Sequence, residues 1–101
     1  MAALRFSFDA ELWEWSEGPG SWHFLSLPGD ASDDIREQAG PKGPGFGSVP
    51  VDVAIGETKW STSVFPDKKG GVYVLPVKKA VREAEGLAAG SRVQVKLLVK
   101  L

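Results

Sequence analysis

The side chains with the clearest chemical potential are five cations in the C-terminal half, which have one acid, Asp67, among them. They are Lys68, Lys69, Lys78, Lys79 and Arg82. This stretch carries a local charge of +4, whereas the whole chain carries −1. Lys78 and Lys79 fall in the first turn of a predicted helix, where free backbone N–H groups attract anions. The pattern predicts an anion-binding site that Phe46 closes over, with an ordinary solvated surface as the alternative.

The hydroxyl and imidazole groups of the chain give weaker evidence of a functional site. His23 is the only histidine, and no carboxylate stands at a sequence spacing that would orient it as a base. Ser61, Thr62 and Ser63 lack the strand–turn–helix elbow that exposes a nucleophile. We expect His23 to lie in a strand near the surface, and we expect the three hydroxyl residues to be polar positions of a strand. We therefore predict no catalytic residue.

Metal and aromatic sites have structural alternatives as well. Asp30, Asp33 and Asp34 lack the ligand spacing of a calcium loop, and helix capping explains them. We therefore expect neither a metal nor a cofactor. The four tryptophans are predicted to serve mainly as core, with the lining of a ligand pocket as the alternative.

Composition limits the class of protein. A chain of 101 residues has room for one domain, residues 1–101, and the absence of cysteine excludes disulfides. No apolar run is long enough for a signal peptide or a membrane span, so we expect a cytoplasmic protein without a membrane partner. Residues 1–37 carry −6 and residues 38–101 carry +5. Near-neutrality overall argues against bulk binding of nucleic acid.

The elements that must position these side chains are mostly strands. Alternation of apolar and polar residues predicts six of them, at 4–12, 22–27, 49–55, 59–65, 72–75 and 93–101. The apolar phase flips at residues 13–15, which predicts a bulge or bend. Short helices are predicted over residues 32–38 and 77–85, and the glycine- and proline-rich residues 40–47 are predicted to form a mobile loop. The predicted core is Phe6, Phe8, Leu12, Val51, Val53, Val81, Val93, Val95 and Leu97.

Two parts of the chain echo each other. A strand that ends in Leu27-Pro28 is followed by a helix and then by Gly47-Ser48 and an alternating strand. Leu75-Pro76, the second helix and Gly90-Ser91 repeat that order near a period of 45 residues. We expect two similar units around a pseudo-two-fold axis within one chain, and hence a monomer, with a dimer as the alternative.

The C-terminal unit resembles the swapped-hairpin motif of AbrB/MazE-type proteins, with Leu-Pro, a helix bearing Arg82, Gly86-Leu87 and alternating valines. The whole chain is more similar to a small bacterial family known as domain of unknown function 1905. The matching residues are the 6–13 strand, Phe46-Gly47-Ser48, Trp60, Thr62-Ser63, Phe65-Pro66 and Tyr73-Val74-Leu75-Pro76, with Lys79, Val81 and Arg82.

This resemblance implies a double-split β-barrel, mainly β with two short helices, and it implies no activity. We therefore expect a non-enzymatic binding module of unknown ligand, with an anion or a nucleic acid as the candidate partner. An AbrB-like DNA-binding regulator is the first alternative, although Ser91 and Glu85 depart from that pattern. A small enzyme of unknown reaction is the second.

Overall fold

The computed structural model describes residues 3–16, 19–39, 47–67 and 71–100. Within these residues the chain forms seven strands and two helices. In order they are β1 (Ala3–Glu11), β2 (Trp13–Ser16), β3 (Ser21–Ser26), α1 (Gly29–Ala39), β4 (Val49–Ile55), β5 (Thr58–Pro66), β6 (Tyr73–Pro76), α2 (Lys79–Glu85) and β7 (Arg92–Lys100). Phe46, Lys68 and Lys69 lie outside the described residues, as does all but Gly47 of the predicted 40–47 loop.

The first strand is divided at Leu12, where the predicted change of phase occurs. Leu12 is fully buried, and its backbone leaves the strand ladder to bond with the chain before β7. Its N–H donates to the Ser91 carbonyl at 2.9 Å, and its carbonyl accepts from the Gly90 N–H at 2.8 Å. Because of this bend, the side chains of β1 and β2 face different surroundings.

The strands form one antiparallel, curled sheet in the order β1-β7-β4-β5-β6-β3-β2. The two strands at the ends of this order, β1 and β2, are joined through the single residue Leu12. The sheet is therefore barrel-like, and the prediction of a mainly β domain with two helices is confirmed.

The core fills the inside of the curled sheet with the alternating residues of β4 and β7. Of the predicted core, Leu12, Val51, Val53, Val81, Val93, Val95 and Leu97 are buried. Phe6 and Phe8 are only half-buried, so their predicted burial is wrong in degree. They belong to β1, which ends the sheet order and pairs only with β7, so their inner face is less covered.

Helix α1 begins three residues earlier than the predicted start at residue 32, because Ser32 acts inside the helix rather than as its cap. Its N–H donates to the Pro28 carbonyl at 2.9 Å. Its fully buried hydroxyl accepts from the Tyr73 N–H at 3.0 Å and ties α1 to β6.

Helix α2 begins two residues later than the predicted start at residue 77. The Val77 N–H still donates to the His23 carbonyl at 2.9 Å, which prolongs the pairing of β3 and β6. Lys78 has an extended backbone and is the N-cap of the helix, without a side-chain hydrogen bond. Helix α2 therefore begins only at Lys79 and has seven residues. Neither helix of the described chain is long and apolar enough to cross a lipid bilayer.

Candidate functional site

The β2–β3 hairpin carries four aromatic side chains on one face. Trp13 pairs with Phe24 and Trp15 with Trp22, and residues directly opposite each other share a face of the sheet. The ring centroids of Trp13 and Phe24 lie 5.0 Å apart. Those of Trp22 and Phe24 lie 6.5 Å apart, with planes only 14° from parallel. The hairpin thus presents a row of contacting aromatic rings.

The sequence had led us to expect these rings in the core, and they do not lie there. Trp22 is 59% exposed and Trp15 is 47% exposed. Trp13 is half-buried, and its indole Nε1–H donates to the Ser26 hydroxyl at 2.9 Å. The expectation fails because β2 lies beyond the bend at Leu12, where alternation no longer points these side chains into the barrel. The flipped phase of residues 13–15 was the available signal.

Strands β5 and β6 complete an open groove of roughly 1000 Å³ around this row of rings, which we call the aromatic groove. Phe65, which is 40% exposed, is the fifth aromatic side chain in it. Its lining comprises Trp13, Trp15, Trp22, Phe24, Thr62, Phe65, Pro66, Asp67, Val74 and Pro76. The groove can hold a flat apolar group.

A smaller cleft of roughly 240 Å³ brings together three of the cations singled out by the sequence, and we call it the cationic cleft. It is lined by Ser21, Trp22, His23, Pro76, Val77, Lys78, Lys79 and Arg82. Lys78 and Lys79 are exposed, whereas Arg82 is half-buried. The Arg82 Nε–H donates to the Val77 carbonyl at 3.2 Å, which fixes the guanidinium at the corner between β6 and α2.

The charge of this cleft comes from side chains rather than from the helix. With seven residues, α2 has a weak dipole, and Lys78 stands outside its first turn. The sequence-based reason for anion binding, a helix N-terminus, is therefore weaker than expected. The three cationic side chains remain, and their role in binding stays a prediction.

The two sites are continuous, because Trp22 and Pro76 line both of them. The register shows how this arises: Phe24 pairs with Pro76, and continuing by two residues places Trp22 opposite Lys78. Asp67 lies at the other end of β6, where its N–H donates to the Val72 carbonyl at 2.8 Å. The groove therefore runs from an acidic end to a cationic end.

His23 lies in the cationic cleft but lacks the setting of a general base. Its Nδ1 is buried and has no hydrogen-bond partner among the described residues. Glu14 is opposite His23 in the register, a juxtaposition that the sequence spacing hid. The Glu14 carboxylate accepts instead from the Ser16 hydroxyl, at 3.3 Å.

The remaining candidates have structural roles. The Ser61 hydroxyl donates to Asp52 Oδ1 at 2.6 Å, and Lys100 Nζ lies 2.9 Å from the same oxygen. These two contacts lower the pKa of Asp52, with the Ser61 hydrogen bond as the largest single cause. Asp30 accepts from the Ala31 N–H, and Asp33 pairs with Arg36. Across residues 3–16, 19–39, 47–67 and 71–100, no group of three potential ligands could hold a metal ion.

Fold and site together define a small, barrel-like β domain with an aromatic groove that opens into a cationic cleft. The model of one protein family, a domain of unknown function (DUF1905), matches residues 8–97. The chain belongs to this family. No curated protein matches it.

Proposed function

We propose that this protein is a non-enzymatic binding module whose ligand has a flat apolar body and an anionic group. The body would lie in the aromatic groove and the anion in the cationic cleft. The observation that carries the proposal is the sharing of Trp22 and Pro76 by both sites, because it makes the aromatic groove and the cationic cleft adjoin.

Exposure of the aromatic rings supports binding rather than packing. Large exposed aromatic side chains that adjoin one another mark a binding surface more often than single exposed residues do. Trp15, Trp22 and Phe65 are each at least 40% exposed and line one groove. Lys78 beside Trp22 disfavours a cationic ligand, which an aromatic cage would otherwise suit.

We also propose that the barrel is double-split, with a pseudo-two-fold axis inside one chain. Its support is the sheet order, in which exchange of β7 with β4, β6 with β3 and β1–β2 with β5 leaves the neighbours unchanged. The exchanged strands β3 and β6 pair antiparallel, as do β4 and β7. The aromatic groove is built from β2, β3, β5 and β6 and thus straddles the axis. An internal axis of this kind favours a monomer.

The alternatives have less support. An AbrB-like regulator needs a continuous basic surface for the DNA backbone. Arg5, Lys59 and Lys96 line a separate cleft on the outside of the sheet, which shares no lining residue with the cationic cleft. A small enzyme would need a partner that orients His23, and its Nδ1 has none among the described residues.

The test uses naphthalene-1-sulfonate, a flat aromatic anion, followed by backbone amide shifts. We expect saturable binding with shifts at Trp15, Trp22 and Lys78, and weaker binding of the uncharged naphthalene-1-methanol. Trp22→Ala and Lys78→Ala/Lys79→Ala should each lower the affinity roughly tenfold, since stacking and charge each contribute on the order of 1 kcal/mol or more. Lys59→Ala/Lys96→Ala is the matched control, with the same change of charge on the separate outer cleft. Equal loss in the control, or no saturation, would contradict the proposal.

A further inference from the structure

We infer that the ligand is a nucleoside phosphate, with its base in the aromatic groove and its phosphate in the cationic cleft. This inference rests on the proposed function and names the class of ligand. Three features carry it: the aromatic lining of the groove, the number of cations in the cleft, and the two residues, Trp22 and Pro76, that line both.

The aromatic groove suits a nucleobase because its walls are ring faces. Stacking on aromatic side chains is the sequence-tolerant way in which proteins bind unpaired bases. Trp22 and Phe24 have nearly parallel planes, 14° apart, and Trp15 is the strand partner of Trp22 in the hairpin. An aliphatic chain would gain no such advantage from parallel rings.

The cationic cleft carries more charge than a carboxylate would need. A carboxylate has two oxygens and is satisfied by one guanidinium fork, whereas a phosphate monoester has three acceptor oxygens and nearly two negative charges. Lys78, Lys79 and Arg82 together provide three positive charges and one fork. The fork is held in place, because the Arg82 Nε–H is bonded to the Val77 carbonyl. Glu14, the acid that faces His23, does not line the cleft.

The adjoining of the two sites suits a single nucleotide, since Trp22 and Pro76 line both. In a nucleotide only one sugar separates the base from the phosphate, so the stacking face and the cations must be adjacent. The hydrogen bond from the Val77 N–H to the His23 carbonyl, 2.9 Å long, joins the two strands at this point. Trp22 precedes His23 and Lys78 follows Val77, so these two residues flank this bond, one on each side of the paired chains.

The nucleotide can come from two sources, a free mononucleotide or the 5′-phosphorylated end of a single strand. The experiment compares adenosine 5′-monophosphate with adenosine, which lacks the phosphate, and with ribose 5-phosphate, which lacks the base. A 5′-phosphorylated oligoadenylate is the fourth probe. Binding to the full chain is followed by amide and indole N–H shifts.

We expect adenosine 5′-monophosphate to bind roughly tenfold or more tightly than either fragment, as the loss of a stacked base or of a phosphate contact implies. Trp22→Ala should reduce the nucleotide to the affinity of ribose 5-phosphate, and Lys78→Ala/Lys79→Ala to that of adenosine. A gain in affinity with the oligoadenylate identifies the single strand as the source, and equal affinity identifies the free nucleotide.

Two results would overturn the inference. One is equal binding of adenosine and its monophosphate. The other is the absence of saturation with any of the phosphate-bearing probes up to about 10 mM, a concentration that corresponds to a binding free energy of only a few kcal/mol. If naphthalene-1-sulfonate still binds in that case, only the nucleotide is excluded as ligand. If neither binds, the proposed function fails as well.

Discussion

At the scale of single residues, two buried polar groups illustrate opposite situations. The Ser32 hydroxyl is fully buried and bonded to the Tyr73 N–H, whereas the buried Nδ1 of His23 has no partner among the described residues. A buried hydrogen bond contributes little net free energy, but a buried group left without its partner is costly. The two residues should therefore respond oppositely to removal of their polar atoms.

Ser32→Ala should lower the free energy of unfolding by about 1–3 kcal/mol, because it strands the Tyr73 N–H at the start of β6. Urea unfolding measures this effect. Ser16→Ala is the control, since its hydroxyl bonds only to Glu14 at the surface, and a change within about 0.5 kcal/mol is expected. Equal losses in both variants would mean that the bond between α1 and β6 has no special role.

His23→Phe should leave the free energy of unfolding unchanged or raise it by up to about 1 kcal/mol, since the unpaired Nδ1 disappears and a planar ring, somewhat larger than imidazole, is kept. Thermal unfolding measures the stability, and the nucleotide titration measures binding by the same variant. A loss above about 1 kcal/mol would contradict this expectation.

The contacts of Asp52 predict a dependence on pH. Its pKa lies below the ordinary value of 3.8 in the folded chain, so its charge stabilises the fold above that pH, and the contribution disappears as the pH falls through the folded pKa. The stability difference between the natural chain and Asp52→Asn should therefore shrink below about pH 4. Because the Ser61 bond is the largest cause, Ser61→Ala should raise the pKa, as carboxyl chemical shifts would report. Ser7→Ala is the control and should leave the pKa of Asp52 unchanged.

At the scale of elements, alternation predicted six of the seven strands, and β2 was predicted only as a bulge or bend because it lies beyond the change of phase. The helix starts were less predictable. Ser32 and Val77 both look like ordinary helix-start residues in the sequence. However, the Ser32 hydroxyl accepts a hydrogen bond from β6, and the Val77 N–H donates one to β3. A local pattern cannot contain such a bond, because its partner lies more than 40 residues away in the chain.

The turn between β4 and β5 depends on a glycine and on α2. Gly56 has φ +58°, and a Cβ there would overlap the Glu85 carboxylate, which accepts from the Thr58 hydroxyl at 2.6 Å. Gly56→Ala should lower the free energy of unfolding by about 1–2 kcal/mol because of the positive φ. The displacement of the Glu85 carboxylate should lower it further. Urea unfolding of a double-mutant cycle with Glu85→Ala separates the two terms.

Gly86→Ala is the matched control for this turn, since it has φ +66° with nothing near its Cβ position. It should show the cost of the dihedral angle alone. If Gly56→Ala costs no more than Gly86→Ala, or if Glu85→Ala leaves its cost unchanged, the carboxylate does not limit the turn.

At the scale of the whole molecule, the candidate site was only half predictable. Lys78, Lys79 and Arg82 are close in sequence, so their grouping followed from the chain alone. The aromatic groove required the pairing of β3 with β6 and the bend at Leu12, which join residues up to about 60 positions apart. The aromatic side chains were visible in the sequence, but their common face was a property of the sheet.

The pairing of the strands also predicts how the molecule folds. Division at the turn between Gly56 and Glu57 gives fragments 1–56 and 57–101. Four of the six described ladders cross this division: β1 with β7, β4 with β7, β4 with β5, and β3 with β6. Only β2–β3 and the short β5–β6 pairing stay within a fragment, and an isolated two-stranded hairpin is marginal in water.

Each fragment alone should therefore be disordered, since β4 and β7 contribute their apolar faces to one core that neither fragment can complete. An equimolar mixture should recover the amide spectrum of the full chain, with a midpoint of unfolding that rises with concentration because association is bimolecular. Doubling the concentration of either fragment in the absence of the other is the control and should produce no dispersed spectrum. A dispersed spectrum from fragment 57–101 alone would show that the C-terminal unit is an independent domain, and the barrel could not then depend on both halves.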